Sequence, residues 1–464
     1  MKLIALLLFS FSAQAMTIEE YMKAVSERNK LLESYKISVE ASKDLQVAGD
    51  LELSPQLTAG YSLASDKSLP SAVADKRDQT TANIGLSKKF STGTTLGVSA
   101  ETYKYDFEQP VVAGNNGYSR GGIGVSLQQS LWRDFFGAGT QLRRERQAAL
   151  NKLETLSLEL QKRQKMIEFE SDYWDYLVAQ EDLKLKRANL DRAKKLESWT
   201  STRVSNGISE RAELLQVRAL YSNREMQLQN AIEELQAREI KMRENLNYES
   251  NQALPEATSS LTEARPFFSQ LANQENIVRI DTYLSTLEAE VTKKAAESTV
   301  DSLRPDLSLV GRYSTSSYAL EHSEMQSNLT KTDRPVTYVG LSFSWLFGSD
   351  AKSAQLAAAR KQAIAAQYRA EQSKLSGENA WQEHLRKYEL AKKNVLTLEK
   401  IAQLQRDRSR EEQVRFSKGR TITLNVVDAE TESAESEVNY LRARSGLKKL
   451  EASTQLFLPI QQTE

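Results

Sequence analysis

The sequence predicts a mixed α and β membrane protein built from two internal structural repeats. Three observations carry this reading. A short phrase occurs twice, at residues 203–217 and 415–429, and aligning Gly207 with Gly419 sets Arg203 on Arg415, Ser205 on Ser417 and Leu214-Leu215 on Val426-Val427. Short segments upstream of each phrase alternate apolar and polar residues with period two. Long stretches keep a helical pattern without proline, from Thr140 to Thr202 and in a matching stretch at 350–416. A repeated phrase at a chain reversal constrains the fold more than any single residue does.

The first element is an export signal over residues 1–15: Lys2, the apolar run Leu3–Phe9, then the small-x-small site Ala13-Gln14-Ala15. Each half then reads short helix, strands, long helical hairpin. The first short helix occupies 16–53, the first strands with an extra hairpin 54–131, and the first long hairpin 132–257. The second short helix occupies 258–304, the second strands 305–347, and the second long hairpin with a C-terminal tail 348–464.

The strands show one apolar and one small or polar face. Val339, Leu341, Phe343, Trp345 and Phe347 alternate with Gly340, Ser342 and Ser344, and Ile123, Val125 and Leu127 alternate with Gly124, Ser126 and Gln128. Leu57, Ala59, Tyr61 and Leu63 form a third row, and Leu307, Leu309 and Tyr313 a fourth. An apolar exterior over a small, polar interior suits a barrel in a membrane; a soluble sheet with one face on a core gives the same alternation. Trp132, Phe135, Phe136, Trp345 and Phe347 cluster where strands meet helices, as an interfacial girdle or as buried packing. Residues 82–90 and 95–103 flank the turn Ser91-Thr92-Gly93 and add a hairpin, either as wall strands or as a flap. The connections 66–79 and 107–118 read as long loops.

The helices are too long for a globule. Thr140–Thr202 alone would span about 95 Å. Heptad-spaced positions run from Leu150, Leu153, Leu160 and Ile167 to Trp174, Val178, Leu185 and Trp199, and return through Val217, Tyr221, Leu228, Ala231, Leu235 and Met242. The polar interruptions Arg224 and Arg238 fit helices that also face water.

Composition narrows the function. Charged residues make up 27% and aromatics 8%, which favours long helices over a thick core, and the net charge of +0 gives no support for a nucleic-acid partner. The chain has no cysteine and two histidines, His322 and His384, so thiolate metal sites and histidine acid–base chemistry have little to work with. Dinucleotide, phosphate-loop, zinc-protease and nucleophile-elbow motifs are all missing, so the chain reads as a non-enzyme without a cofactor.

The helix-tip phrases resemble those of the TolC-like outer-membrane efflux proteins. Gly207…Glu213-Leu-Leu-Gln-Val and Gly419…Asn425-Val-Val-Asp-Ala match that family's tip in spacing. Thr17-Ile-Glu-Glu-Tyr-Met-Lys-Ala-Val is similar to its first helix, and Leu127 to Gly137 to its strand-to-helix junction. The tip aspartates of the family are Glu213 and Asn425 here, and the common junction proline is Ser130. No cysteine follows the signal, so a lipoprotein member is not expected.

The resemblance implies a homotrimer in which three chains share one outer-membrane β-barrel, in contact with lipid, continuous with a periplasmic α-helical coiled-coil barrel. It implies an exit duct of a tripartite efflux system, passive in itself, that opens on docking a periplasmic adaptor (membrane fusion protein) and an inner-membrane pump of RND or ABC type. Asp428 and Asn425 would form the periplasmic constriction, with a solvated carboxylate at a helix start as the plainer reading of Asp428. Glu213, Arg203, Arg415 and Arg420, with Arg211 nearby, would form the tip gate. Gly207, Ile208, Ser209, Gly419, Arg420 and Thr421 would form the tip turns and the adaptor-docking surface. Two other functions share these features: a type I protein secretion duct of the same fold, and a periplasmic coiled-coil scaffold.

Overall fold

A computed structural model describes residues 15–67, 74–110, 112–114, 116–249, 252–261, 277–331, 334–347 and 350–459. Residues 1–14 of the expected export signal, and residues 262–276 within the expected second short helix, lie outside the described residues. The chain divides into two units: Glu40–Thr155 with Ser285–Glu371, and the segments Met1–Val39, Leu156–Leu284 and Gln372–Glu464. Helices α3 (Ala138–Ser205) and α7 (Asp350–Ser417) run from one unit into the other, each 68 residues long and therefore about 100 Å.

The first unit holds one antiparallel sheet. Its strands are β1 (Gln56–Asp66), β2 (Ala74–Lys89), β3 (Thr94–Pro110), β4 (Gly117–Ser130), β6 (Asp306–Ser314), β7 (Ser317–Ala319) and β8 (Val336–Ser344). The order is β1-β2-β3-β4-β6-β8, with β7 beside the start of β4. The hairpin β2–β3 is therefore part of the sheet, paired on one side to β1 and on the other to β4. Both its strands outrun the expected segments, at 16 and 17 residues, and take over much of the connections read as loops. Cross-strand ion pairs carry the ladder through this polar stretch: Lys76 to Glu108 at 2.8 Å and Arg77 to Asp66 at 3.2 Å.

The register assembles the apolar residues into one band. Leu57, Leu86, Val98, Val125 and Tyr313 lie side by side across five strands, and Ala59, Ile84, Ala100 and Ile123 form the next row. Leu309 faces Leu341 and Leu307 faces Phe343. Much of this band is open, with Leu57 68% and Leu341 67% exposed. So contiguous an apolar surface exceeds what a soluble monomer normally leaves uncovered. The opposite face carries Gly60, Asn83, Ser99 and Ser126. Beyond the band its own face turns ionic, with Lys76–Asp78 and Lys104–Asp106 each at 2.9 Å. Among the described residues, strands β1 and β8 each leave one edge unpaired.

At one end of the sheet β4 hands over to α3. Asp134 sits in the left-handed region at φ 56° and accepts hydrogen bonds from Thr140 N and Oγ1, both at 2.7 Å, and an ion pair from Lys89 at 2.9 Å. Burial pushes the Asp134 carboxyl up, but Lys89 and Thr140 outweigh it and leave the pKa below the usual range. Gly137 has φ 86°, and a Cβ there would lie 1.8 Å from Ser91 O, so only glycine fits. Phe90, Trp132, Phe135, Phe136, Trp345 and Phe347 are all exposed at this end, which sets aside buried packing for these rings within one chain.

The second unit is mainly helical. Helix α1 (Ile18–Arg28) opens on a capping box, in which Thr17 Oγ1 accepts from Glu20 N and the Glu20 carboxylate from Thr17 N. The expected single first helix breaks at Asn29, whose side chain accepts from the N–H groups of Leu31 and Leu32 and so caps α2 (Lys30–Ala48). Ile18, Tyr21 and Val25 pack with Tyr173 and Trp174 of α3 and with Met242 and Leu246 of α4 (Arg211–Leu246). Burying each large side chain contributes about 1.5–3 kcal/mol, and trimming Trp174 to alanine would cost about 3–5 kcal/mol.

The remaining elements include short ones that the sequence reading did not contain. Strand β5 (Ile277–Arg279) pairs with β9 (Phe457–Pro459) and leads into helix α5 (Ile280–Ser302). A short helix, α6 (His322–Ser327), folds back on β4 by burying Met325. Helix α8 (Thr423–Ser453) completes the second hairpin. Two coiled-coil assignments also change. Trp199 is 44% exposed, off the seam. Arg224 is 5% exposed, because its guanidinium reaches Gln227 and Thr431 of α8 rather than water. No helix among the described residues is long and apolar enough to cross a membrane.

Candidate functional site

The two helix reversals are built alike. At the first, Ile208 N donates to Arg203 O at 2.8 Å and Gly207 N to Val204 O at 3.0 Å. At the second, Arg420 N donates to Arg415 O at 2.8 Å and Gly419 N to Phe416 O at 2.9 Å. Both are Schellman caps, and both need a left-handed residue, supplied by Gly207 at φ 72° and Gly419 at φ 69°. A glycine four residues past an arginine therefore ends each outgoing helix and turns the chain. Below the turns Leu196, Val217, Phe416 and Val426 form a small buried cluster, one residue from each of α3, α4, α7 and α8.

Two polar contacts tie the first hairpin to the second. The Arg203 guanidinium lies 4.8 Å from the Phe416 ring centroid and donates to Phe416 O at 3.3 Å, while its Nε donates to Ser209 Oγ at 3.1 Å. Thr423, fully buried at the start of α8, donates from Oγ1 to Glu213 Oε2 at 2.7 Å. Deeper in the bundle, buried Glu430 accepts from Arg192 at 2.9 Å and Ser409 at 2.9 Å, and also from Gln413. Burial pulls the nearby Arg224 below the ordinary arginine pKa, and Arg192 adds to this while Glu430 opposes it.

The structure brings Glu213, Arg203 and Arg415 into the tip network in different ways. Glu213 bonds Thr423, a residue the sequence reading did not single out. Arg415 pairs within its own helix, with Glu411 at 3.4 Å and Glu412 at 3.6 Å. Arg420 is exposed and forms no ion pair among the described residues. Thr421 donates to Glu412 at 2.8 Å and accepts from Asn425 at 3.1 Å. Asn425 and Asp428 are exposed one turn apart on α8, and Gly207, Ile208 and Gly419 are exposed at the turns with Ser209 half-buried beside them. Phe416 and Thr423 were the missed partners. The signal for Thr423 was a hydroxyl at the first position of a helix, facing an acidic residue of the aligned phrase.

This arrangement has no group of three or more metal-ligating side chains among the described residues. Its contacts are individually weak, face one another across two hairpins, and break without covalent change.

No protein-family model matches the sequence, and no curated protein matches it. Solved structures do. The chain is similar to the outer-membrane channel OprN at 18% identity and TM-score 0.68, covering 95% of this chain and 89% of that one. It is similar to the outer membrane protein VceC of Vibrio cholerae at 13% identity and TM-score 0.67, covering 95% of each chain. It is also similar to the open state of the MtrE outer membrane channel of Neisseria gonorrhoeae, at 16% identity and TM-score 0.67, covering 95% of this chain and 88% of that one.

Proposed function

We propose, from the premise that this chain has the TolC-like outer-membrane efflux fold, that it is one protomer of a trimeric exit duct in the outer membrane. Residues 54–131 and 305–347 would supply the barrel wall, and 132–257 and 348–464 the periplasmic helical tunnel. The observation that carries this reading is an open sheet with two free edges and an exposed apolar band on one face. Free edges invite further strands. The six main strands alternate in direction, so β1 of one copy would meet β8 of the next antiparallel, and three copies would close an eighteen-stranded wall. The band would face lipid, and the exposed rings from Phe90 to Phe347 would lie at the interface.

The tips would hold the tunnel shut until a periplasmic adaptor docks on the exposed turns and an inner-membrane pump, of RND or ABC type, supplies substrate and energy. Three copies of Asp428 around an axis would concentrate negative potential in the narrowest part. Asn425 would form an uncharged ring beside it.

Engineered cysteines test the assembly, since the chain has none of its own. Ser62→Cys combined in turn with Ser342→Cys and Ser344→Cys should give, on oxidation in outer-membrane fractions, a cross-linked ladder ending at three chains. Monomers alone, or the protein in the soluble periplasmic fraction, would refute the trimeric duct. Cross-linking and co-purification of the adaptor and pump then assigns the pump class.

A further inference from the structure

On the face of the sheet opposite the apolar band, at the end away from the helix junction, aromatic rings gather on a face that is otherwise mostly small and polar, with a few charged side chains. Tyr105 lies 4.8 Å from Tyr118, Tyr118 lies 5.1 Å from Tyr318 and 5.9 Å from Phe107, and Tyr103 lies 6.5 Å from Tyr105, centroid to centroid. The register produces this cluster. Tyr103, Arg120 and Tyr318 stand side by side across three strands, and Tyr105 faces Tyr118 two residues further along. The rings keep part of their surface open, and Tyr318 is 51% exposed.

Arg120 stands in the middle of this patch and is exposed. Two acidic groups on the same face already have partners: Asp66 holds Arg77 at 3.2 Å, and Glu101 accepts from the Tyr103 hydroxyl at 3.1 Å. Among the described residues no carboxylate pairs with Arg120. A guanidinium fork matches a carboxylate at two points, and tyrosine faces favour offset stacking with other planar rings.

We propose that this patch is a binding site for planar aromatic carboxylates, used as they leave the duct. The ring of the ligand would lie on Tyr105, Tyr118 and Tyr318 while its carboxylate meets Arg120. That this face lines the lumen rests on the duct proposed above.

The test uses the full-length protein in planar bilayers with 1-naphthoate as the probe and naphthalene-1-methanol as its uncharged counterpart. Naphthoate should interrupt single-channel current in a saturable way. Arg120→Gln should weaken that block about tenfold by removing a charge-assisted pair, and leave the response to the alcohol unchanged. Tyr118→Leu should weaken both by about two- to tenfold. Arg120→Lys, which keeps the charge but loses the fork, should fall between wild type and Arg120→Gln and guards against misfolding as the cause. Absence of block, or equal block in wild type and all variants, overturns the site. If no channels form, the duct reading fails instead. Saturation-transfer NMR of naphthoate with the detergent-solubilised protein then decides the site alone: transfer that Arg120→Gln abolishes upholds it, and no transfer sinks it.

Discussion

Replacing Thr423 by valine removes one hydroxyl and almost no volume, which makes it the sharpest probe of the proposed gate. That hydroxyl is fully buried and donates to Glu213 across the two hairpins at 2.7 Å. A hydrogen bond to a charged acceptor contributes about 1.5–3 kcal/mol. Glu213 is half-buried, so water can replace part of the contact and the lower end, about 1.5 kcal/mol, applies. The Arg203–Phe416 contact adds about 0.5–1 kcal/mol. Three protomers opening together would multiply each term. Thr423→Val then removes about 4.5 kcal/mol from the closed state, more than a thousandfold in the open-to-closed ratio at about 1.4 kcal/mol per tenfold. Arg203→Gln removes about 1.5–3 kcal/mol, roughly ten- to a hundredfold. The assay is single-channel conductance in bilayers, alongside the sensitivity of cells to antibiotics too large for ordinary porins. Both should rise in each variant and most in the double. A folded trimer carrying both changes with wild-type conductance and permeability would refute the latch and leave the Leu196–Val217–Phe416–Val426 cluster as the closing force. Arg420→Ala by itself should change little, and a large effect would move the latch to Arg420.

Three further outcomes are expected. Asp428→Ala should lower cation preference and weaken block by multivalent cations, while unchanged selectivity would return Asp428 to an ordinary solvated helix face. Cysteines at Ile84 and Val98, neighbours in the apolar band, should react with lipid-phase probes and resist aqueous ones; ready aqueous labelling would take the hairpin out of the membrane wall. His384, packed between Trp381 and Phe457 and bonded to Thr454 at 3.0 Å, is held below the ordinary histidine pKa by burial, with Lys387 adding to the shift. The unfolded chain then binds the proton more readily, so the contribution of His384 to stability is full above about pH 6.5 and declines as the pH falls below it. Thermal melts between pH 7 and 5 should show this decline in wild type and a smaller one in His384→Phe.

The helices and the turns were legible in the sequence because their causes are local. An uninterrupted helical period sets α3 and α7, and a glycine four residues past an arginine sets each cap. The strand faces were legible for the same reason, since a period of two needs no knowledge of the partner. What the sequence hid depended on residues far away. The ends of β2 and β3 look like loops until Lys76 and Arg77 find Glu108 and Asp66 across the ladder. Arg224 reads as a solvent residue until α8 offers Thr431. In the sequence Glu213 groups with the arginines of the tip, and in the fold it takes a hydroxyl, because Thr423 occupies the first turn of the facing helix. The pairing of β5 with β9 joins segments nearly two hundred residues apart, and its three-residue strands carry too little pattern to announce themselves.

The hairpin β2–β3 also has a consequence for the bore of the proposed duct. Antiparallel closure obeys a parity rule: a protomer with an even number of main strands presents edges of opposite direction, and one with an odd number does not. Adding one strand would spoil the joint between neighbouring copies, whereas adding two leaves both edges as they were. In the proposed trimer, threefold symmetry would copy the insertion around the ring. With strands about 4.8 Å apart and tilted by about 40°, eighteen strands enclose a wall about 36 Å across, against about 24 Å for twelve. In that trimer a single insertion of fewer than forty residues would widen the exit by about half and more than double its cross-section, without altering a residue at either edge.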